Sequence, residues 1–245
     1  MKAMILAAGL GTRLRPLTND LPKALLPVSG RPLIQYTLLL LKKYGITNIV
    51  INLHHHGQKI MDELEDGGKL GLNISYSFEP EILGTGGGLK KVWHLLSDET
   101  FFVINSDILV DLNLDKVVEF HRRRKAVATL VLREDKNADD WGVLQIDSQD
   151  RIRQIRDQPA CDEAGLIKRM FTGIHVLEPQ IFRYMPSSGF FNIMDVYLDM
   201  LRRNEHIAGY TMKGYWIDLG TPERYRKAQE DIQRGGVKLN YLKKN

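Results

Sequence analysis

Apolar residues along this chain come in short blocks that alternate between strand-like runs and helical spacing. Lys2–Leu6 is a brief apolar run that halts at Ala7-Ala8-Gly9, as a strand does when it leaves a sheet core and turns. Leu33–Tyr44 has helical spacing and stops at Gly45, and Asn48–Leu53 is strand again. Helix Gln58–Leu64, closed by Gly67-Gly68, precedes strand Asn73–Phe78; helix Leu89–Leu96, strand Phe101–Asn105 and helix Leu114–Arg123 follow. This βαβ order predicts an α/β fold with a mixed, mostly parallel sheet covered by helices on both faces. Ligands in such sheets sit beyond the carboxyl ends of strands, so the residues just after each strand are the candidates for chemistry.

The first such turn is the richest. Gly9 and Gly11 let backbone amides approach an anion closely, and a nest of N–H groups suits phosphate. Arg13 and Arg15 add positive charge, and Pro16 and Pro22 stiffen the loop that delivers the flexible cation Lys23. Two common phosphate motifs are excluded. A dinucleotide fingerprint fails because position 14 is Leu and the next strand, Val50-Ile51-Asn52-Leu53, ends without an acid; no window supplies the P-loop pattern.

The segment LAAGLGTRLRPLT followed by PKALLPV resembles the signature of the sugar-1-phosphate nucleotidyltransferases. The resemblance implies a Rossmann-like fold and a nucleoside triphosphate held at Leu6, Ala8, Gly9, Gly11, Thr12, Arg13 and Lys23. In that reading Arg13 contacts the terminal phosphates and Lys23 stabilises the transferring group. A second element, Glu79 followed by Leu83-Gly84-Thr85-Gly86-Gly87-Gly88, is similar to the part of the family that surrounds base and ribose. Thr85 and Gly86 are its expected nucleotide contacts. A carboxylate at Glu79 can accept from N1–H and N2–H₂ of guanine but only from N3–H of uracil, which favours GTP. Main-chain readout of the base would leave Glu79 without that meaning.

Asp107 follows the strand Phe101–Asn105, and Trp216-Ile217-Asp218-Leu219-Gly220-Thr221-Pro222-Glu223 is similar to the family's W-x-D-x-G-T-P-E element. The resemblance makes Asp107 and Asp218 joint ligands of Mg²⁺, and Thr221 with Pro222 also reads as a helix cap. On the sugar side, Trp141-Gly142-Val143, Phe171-Thr172-Gly173-Ile174 and Asp195 match weaker elements, so Gly142, Thr172 and Asp195 are expected to line the sugar. Each is equally read as core packing. Where many relatives carry E-K-P, whose lysine grips the sugar phosphate, this chain has Asp157-Gln158-Pro159, so either Arg156, Lys168 or Arg169 substitutes or the sugar phosphate is held differently, as in the shorter relatives that activate N-acetylmuramic acid.

The reaction so implied joins a nucleoside triphosphate to a sugar-1-phosphate with release of pyrophosphate. GTP with a manno-configured sugar (mannose or a heptose) leads. Uridylyl transfer to N-acetylmuramate-1-phosphate or glucose-1-phosphate is the alternative. A silent nucleotide-sugar-binding regulator would be expected to have lost Arg13, Lys23, Asp107 or Asp218, and all four are present. A phosphocholine cytidylyltransferase shares the N-terminal signature, but the Gly84–Gly88 run and Asp218 favour a sugar.

Composition narrows the classes further. At 245 residues and 43% apolar content, one domain spanning about 1–235 is expected, with a nucleotide half to about residue 125, a sugar-phosphate half after it, and a basic tail at 236–245. That tail is either disordered or packs in a homodimer. Net charge is +4, and the run His121–Lys125 lacks interleaved aromatics; it reads as a solvated helix end rather than a nucleic-acid site. No apolar run spans a bilayer and no signal pattern opens the chain, so a cytoplasmic protein without membrane partners is expected. The single cysteine, Cys161, excludes an intrachain disulfide framework. His54-His55-His56 is not read as a zinc site, because neighbouring strand-end side chains diverge.

Overall fold

A computed structural model describes residues 1–135, 143–160, 164–237 and 239–242. Along the chain run β1 (Lys2–Leu6), β2 (Pro27–Val28), β3 (Arg31–Pro32), α1 (Leu33–Lys43), β4 (Asn48–Leu53), α2 (Gly57–Leu64) and β5 (Asn73–Phe78). Next come α3 (Gly84–Lys91), α4 (Trp93–Leu96), β6 (Phe101–Asn105), β7 (Ile108–Val110), α5 (Leu114–Arg124), β8 (Ala128–Arg133), β9 (Val143–Ile146) and β10 (Ile152–Ile155). The remainder is β11 (Ile167–Leu177), α6 (Ile193–Arg202), β12 (Ile207–Thr211), β13 (Trp216–Asp218) and α7 (Pro222–Gln233). The expected mixed α/β sheet with its helices is present.

The chain forms two compact units interleaved in sequence. The first comprises Met1–Ile82, Ile104–Leu112 and Gly214–Asn245, the second Leu83–Val103 and Asn113–Lys213. In the first unit β4 pairs in parallel with both β1 and β5, with Leu6 opposite Asn52 and Leu53 opposite Phe78. That register brings the ends of the three strands level, so the loops that follow them leave from one edge. Helix α1 forms because Leu33, Ile34, Tyr36, Leu38, Leu40 and Leu41 are all buried, each apolar side chain contributing about 1.5–3 kcal/mol. Lys42 and Lys43 complement the dipole of its last turn. Leu239 and Tyr241, in the segment expected to be a tail, are buried in this unit.

The second unit is mixed rather than parallel. The long strand β11 pairs antiparallel with β8 and β9, β10 with β9, and β12 joins β8 in parallel. Helix α5 starts on an Asn113 cap, as its side chain accepts from Lys116 N–H at 3.1 Å. Its basic end differs from the expected solvated face at one position. His121 is 1% exposed, with Nδ1 2.7 Å from Thr129 Oγ1 and Nε2 3.0 Å from Glu178 Oε1, because it falls on the stripe shared with Val117 and Phe120. Burial lowers its pKa, and Glu178 opposes that shift. The helix expected at Leu89–Leu96 begins earlier, at Gly84, and breaks after Lys91 into α3 and α4.

Candidate active site

In the first unit the loop after β1 is held from behind by a buried polar chain. Ala7 N–H donates to Asn52 Oδ1 at 2.9 Å, and Asn52 Nδ2 donates to Glu79 Oε1 at 2.8 Å. Asn52 is 3% exposed and Glu79 0%. Both ends of the Asn52 amide are thus fixed, which sets its orientation and pins the start of the glycine turn. Glu79 therefore faces inward, and the carboxylate expected to read the base is closed from solvent. The guanine preference argued from it loses its geometric basis.

Beyond Ala7 the loop opens. A side chain at Gly9 would meet nothing within 4 Å, whereas Gly11 adopts φ +65° and its carbonyl accepts from Thr18 Oγ1 at 2.8 Å. A short 3₁₀ turn, Thr12–Leu14, follows, in which Leu14 is buried while Thr12, Arg13 and Arg15 are exposed. One apolar anchor between two arginines explains their outward direction. Lys23 opens the next 3₁₀ turn, and its ammonium pairs with Asp107 Oδ2.

Asp107 and Asp218 are brought together by backbone. Ser106 N–H donates to Leu6 C=O at 3.1 Å, tying this turn to the end of β1. Leu219 N–H donates to Asp107 C=O at 2.9 Å, and Asp218 lies opposite Ile108 in the antiparallel pair β13–β7. Burial raises the Asp218 pKa and the negative charge of Asp107 raises it further; Lys23, Arg224 and the Gly220 N–H pull it back. Asp218 Oδ1 accepts from Gly220 N–H at 2.8 Å, with Arg224 Nη2 at 3.1 Å. Asp107 Oδ1 is buried and has no hydrogen-bond partner. An orphaned carboxylate oxygen beside a second carboxylate fits a divalent cation. Among the described residues no group of three or more His, Cys, Asp or Glu side chains is arranged to hold a metal ion by itself.

Two of the three histidines make separate polar contacts, His54 Nδ1 lying 2.7 Å from Glu79 C=O and His56 Nε2 2.9 Å from Asn19 C=O, while the His55 ring packs on that of His56 with centroids 3.8 Å apart. Lys59 Nζ also donates to Asp20 C=O, so the first turn of α2 and the residue before it hold the far end of the arginine loop.

The glycine run is closely packed by another segment of the chain. Within the second unit, Gly86 N–H and Gly87 N–H both donate to Phe191 C=O, at 3.0 and 3.2 Å, and Phe191 N–H donates to Leu83 C=O at 3.1 Å. A Cβ on Gly84 would lie 2.6 Å from Phe191 O, on Gly86 2.4 Å from the Phe191 ring, and on Gly87 2.4 Å from Gly189 O. These glycines admit a close-packed chain segment, 189–192. Thr85 Oγ1 accepts from Ile193 N–H at 3.0 Å and so steadies the first turn of α6. Thr85 and Gly86 thus have structural tasks, whatever else they contact.

Of the sugar-side candidates, Thr172 is buried and donates from Oγ1 to Val131 C=O at 2.7 Å, in the region where β11 shifts register against β8. Asp195 is exposed in the first turn of α6. Gly142 lies outside the described residues, as does Cys161. Arg156 and Gln158 are exposed in the turn after β10; on β11 Lys168 is exposed and Arg169 half-buried. Sequence reasoning missed Asn52 and Arg224. A polar residue inside the apolar run Val50–Leu53 was the available signal for Asn52. Nothing in the local pattern distinguishes Arg224 from any other helical arginine.

The sequence profile of the nucleotidyl transferase family matches residues 2–235. The chain belongs to that family. It is similar to the UTP–glucose-1-phosphate uridylyltransferase of Synechocystis sp., with 34% identity over 97% of this chain and 65% of the relative. It therefore spans about two thirds of that relative's length. It is also similar to the N-acetylmuramate α-1-phosphate uridylyltransferase of Neisseria meningitidis, with 36% identity over 94% of this chain and 97% of the relative. Among solved structures, HddC of Yersinia pseudotuberculosis complexed with GMP-PN superposes with a TM-score of 0.76 and 27% identity, covering 94% of this chain and 99% of that one. Among the described residues no helix is long and apolar enough to cross a membrane.

Proposed function

We propose that this protein transfers a nucleotidyl group from a nucleoside triphosphate to a sugar-1-phosphate, forming a nucleotide sugar and pyrophosphate. The observation that carries the reading is the convergence of Lys23, Asp107 and Asp218, from three distant stretches of sequence, beside the glycine loop of the first unit. In this reaction a sugar-phosphate oxygen attacks the α-phosphorus in line, and the bond to the bridging oxygen of the β-phosphate breaks. The attacking phosphate has a second pKa of about 6, so it is already a nucleophile at neutral pH and needs no protein base. Catalysis then rests on positioning and charge. Arg13, exposed on its short turn, meets the terminal phosphates. Lys23 leaves Asp107 to follow the transferring group.

Asp107 and Asp218 would hold Mg²⁺, which supplies charge neutralisation of the triphosphate when bound. Gly220 N–H keeps one oxygen of Asp218 fixed, so the orientation of that carboxylate is set before the cation arrives.

For the nucleotide, we read UTP as the donor. The carboxylate that singled out guanine is buried against Asn52, and two relatives of 34% and 36% identity are uridylyltransferases. GTP with a manno-configured sugar stays as the second reading, because relatives of 32% and 31% identity are mannose- and heptose-1-phosphate guanylyltransferases and HddC shares the fold over 94% of this chain in complex with a guanine nucleotide analogue. Initial rates of pyrophosphate release with UTP and GTP, each paired with glucose-, N-acetylmuramate-, mannose- and heptose-1-phosphate, separate the two. A UTP-specific rate supports the first reading, and a GTP-specific rate replaces it by the second.

A further inference from the structure

Arg224 carries a charge that the reaction described above does not use. It lies in the first turn of α7, where its N–H donates to the capping Thr221 Oγ1 at 3.4 Å, and its Nη2 reaches Asp218 Oδ1 at 3.1 Å. That oxygen already accepts from Gly220 N–H at 2.8 Å, so Asp218 is oriented by backbone without help from the guanidinium. Gly220 shows what else lies at this point. A Cβ there would sit 2.5 Å from Asp218 Oδ1, 2.9 Å from Arg224 Nη2 and 3.2 Å from Arg13 Nη2.

Two guanidinium groups, from the glycine loop and from α7, thus converge across a residue with no side chain. Asp218 pairs with the second of them, and Lys23 rests on the neighbouring carboxylate, Asp107. Like charges gathered at a half-buried place repel, and the arrangement becomes favourable when a polyanion arrives. Guanidinium forks match phosphate oxygens in geometry as well as charge. The two carboxylates are the candidate cation ligands, so a divalent ion held there would compete with Arg224 for Asp218.

We propose that Arg224 is a further polyphosphate-binding residue, resting on Asp218 in the free protein and turning to the pyrophosphate portion of the triphosphate when it binds. This rests on the reading of Arg13 and Lys23 as the triphosphate cradle. It assigns to α7 a direct contact with substrate, and it gives Gly220 a reason to be glycine: any side chain there would stand where the phosphate and both arginines meet.

The test is calorimetric titration with inorganic pyrophosphate in excess EDTA, together with Mn²⁺ binding followed by electron paramagnetic resonance without nucleotide. Wild type, Arg224→Gln, Arg224→Lys and Arg13→Gln are compared, with circular dichroism confirming their folds. Arg224→Gln is expected to weaken pyrophosphate binding about 10- to 100-fold, the worth of one charge-assisted contact. Lysine should recover part of that loss, and Mn²⁺ affinity should hold or rise because a competing cation is gone. Unchanged pyrophosphate affinity with weakened Mn²⁺ binding would overturn the proposal and make Arg224 a support for Asp218 alone. If Arg13→Gln also leaves pyrophosphate affinity unchanged, or wild type does not bind it, the cradle reading itself falls.

Discussion

Acidification should destabilise the second unit through His175, well before its carboxylates are fully protonated. The imidazole is 1% exposed, its Nδ1 lies 2.7 Å from Tyr197 Oη, and the Phe171 ring meets it edge-on with centroids 4.6 Å apart. Burial lowers its pKa from 6.5 to about 3. In the unfolded chain the same group protonates near 6.5, so the unfolded state takes up the proton first. The contribution is fully present above about pH 6.5 and is lost as the pH falls toward 3. Each pH unit in that window costs about 1.4 kcal/mol, so the loss reaches roughly 3 kcal/mol by pH 4. That is a large share of the 5–15 kcal/mol typical of a whole domain. Urea denaturation from pH 8 to 4 measures it, and His175→Gln isolates it, since glutamine retains hydrogen-bonding capacity toward Tyr197 without titrating. His121 is also lowered by burial and contributes in both proteins, so the difference between the two profiles reports His175. The variant should be less stable at pH 7 and show a flatter profile below 6.5; parallel profiles would refute the assignment of a buried neutral His175.

Three further outcomes are expected. Lys23→Ala should lower kcat by orders of magnitude, with near-ultraviolet circular dichroism unchanged; full activity would remove Lys23 from the chemistry. Asn52→Ala deletes the acceptor for Ala7 N–H and one partner of the buried Glu79, so a loss of about 2 kcal/mol in urea unfolding and a raised KM for the nucleotide are expected together. Gly86→Ala places a Cβ 2.4 Å from the Phe191 ring and should cost about 1–3 kcal/mol, with the segment 189–192 more open to proteolysis at limiting protease.

Much of the first unit was legible because its signals are local. A strand that ends in Ala-Ala-Gly, two glycines before an arginine, and a Thr-Pro helix start each specify their structure within a few residues, and Thr221 caps α7 as the sequence implies. Asp107 and Asp218 could be placed at strand ends for the same reason, although their proximity depends on the β13–β7 pairing. What escaped is what long-range packing decides. Whether Glu79 faces a ligand or the core turns on Asn52, 27 positions earlier. The glycine run signals close approach by something, and the something is Phe191, a residue more than 100 positions later. His121 sits in a run of cations whose helical stripe, not its composition, sends one member inward. In each case the local pattern named a close contact or a charge, and the tertiary fold chose its partner.

The central claim is that the Arg13, Lys23, Asp107 and Asp218 constellation transfers a nucleotidyl group to a sugar-1-phosphate. Pyrophosphate release with Mg²⁺, measured for ATP, CTP, GTP, UTP and dTTP against a panel of sugar-1-phosphates, tests it most directly. Rapid release with one nucleotide and a narrow set of sugars, abolished by Lys23→Ala, is the predicted result. No release with any pair, together with tight binding of a nucleotide sugar, would contradict the account and make the protein a binding subunit instead.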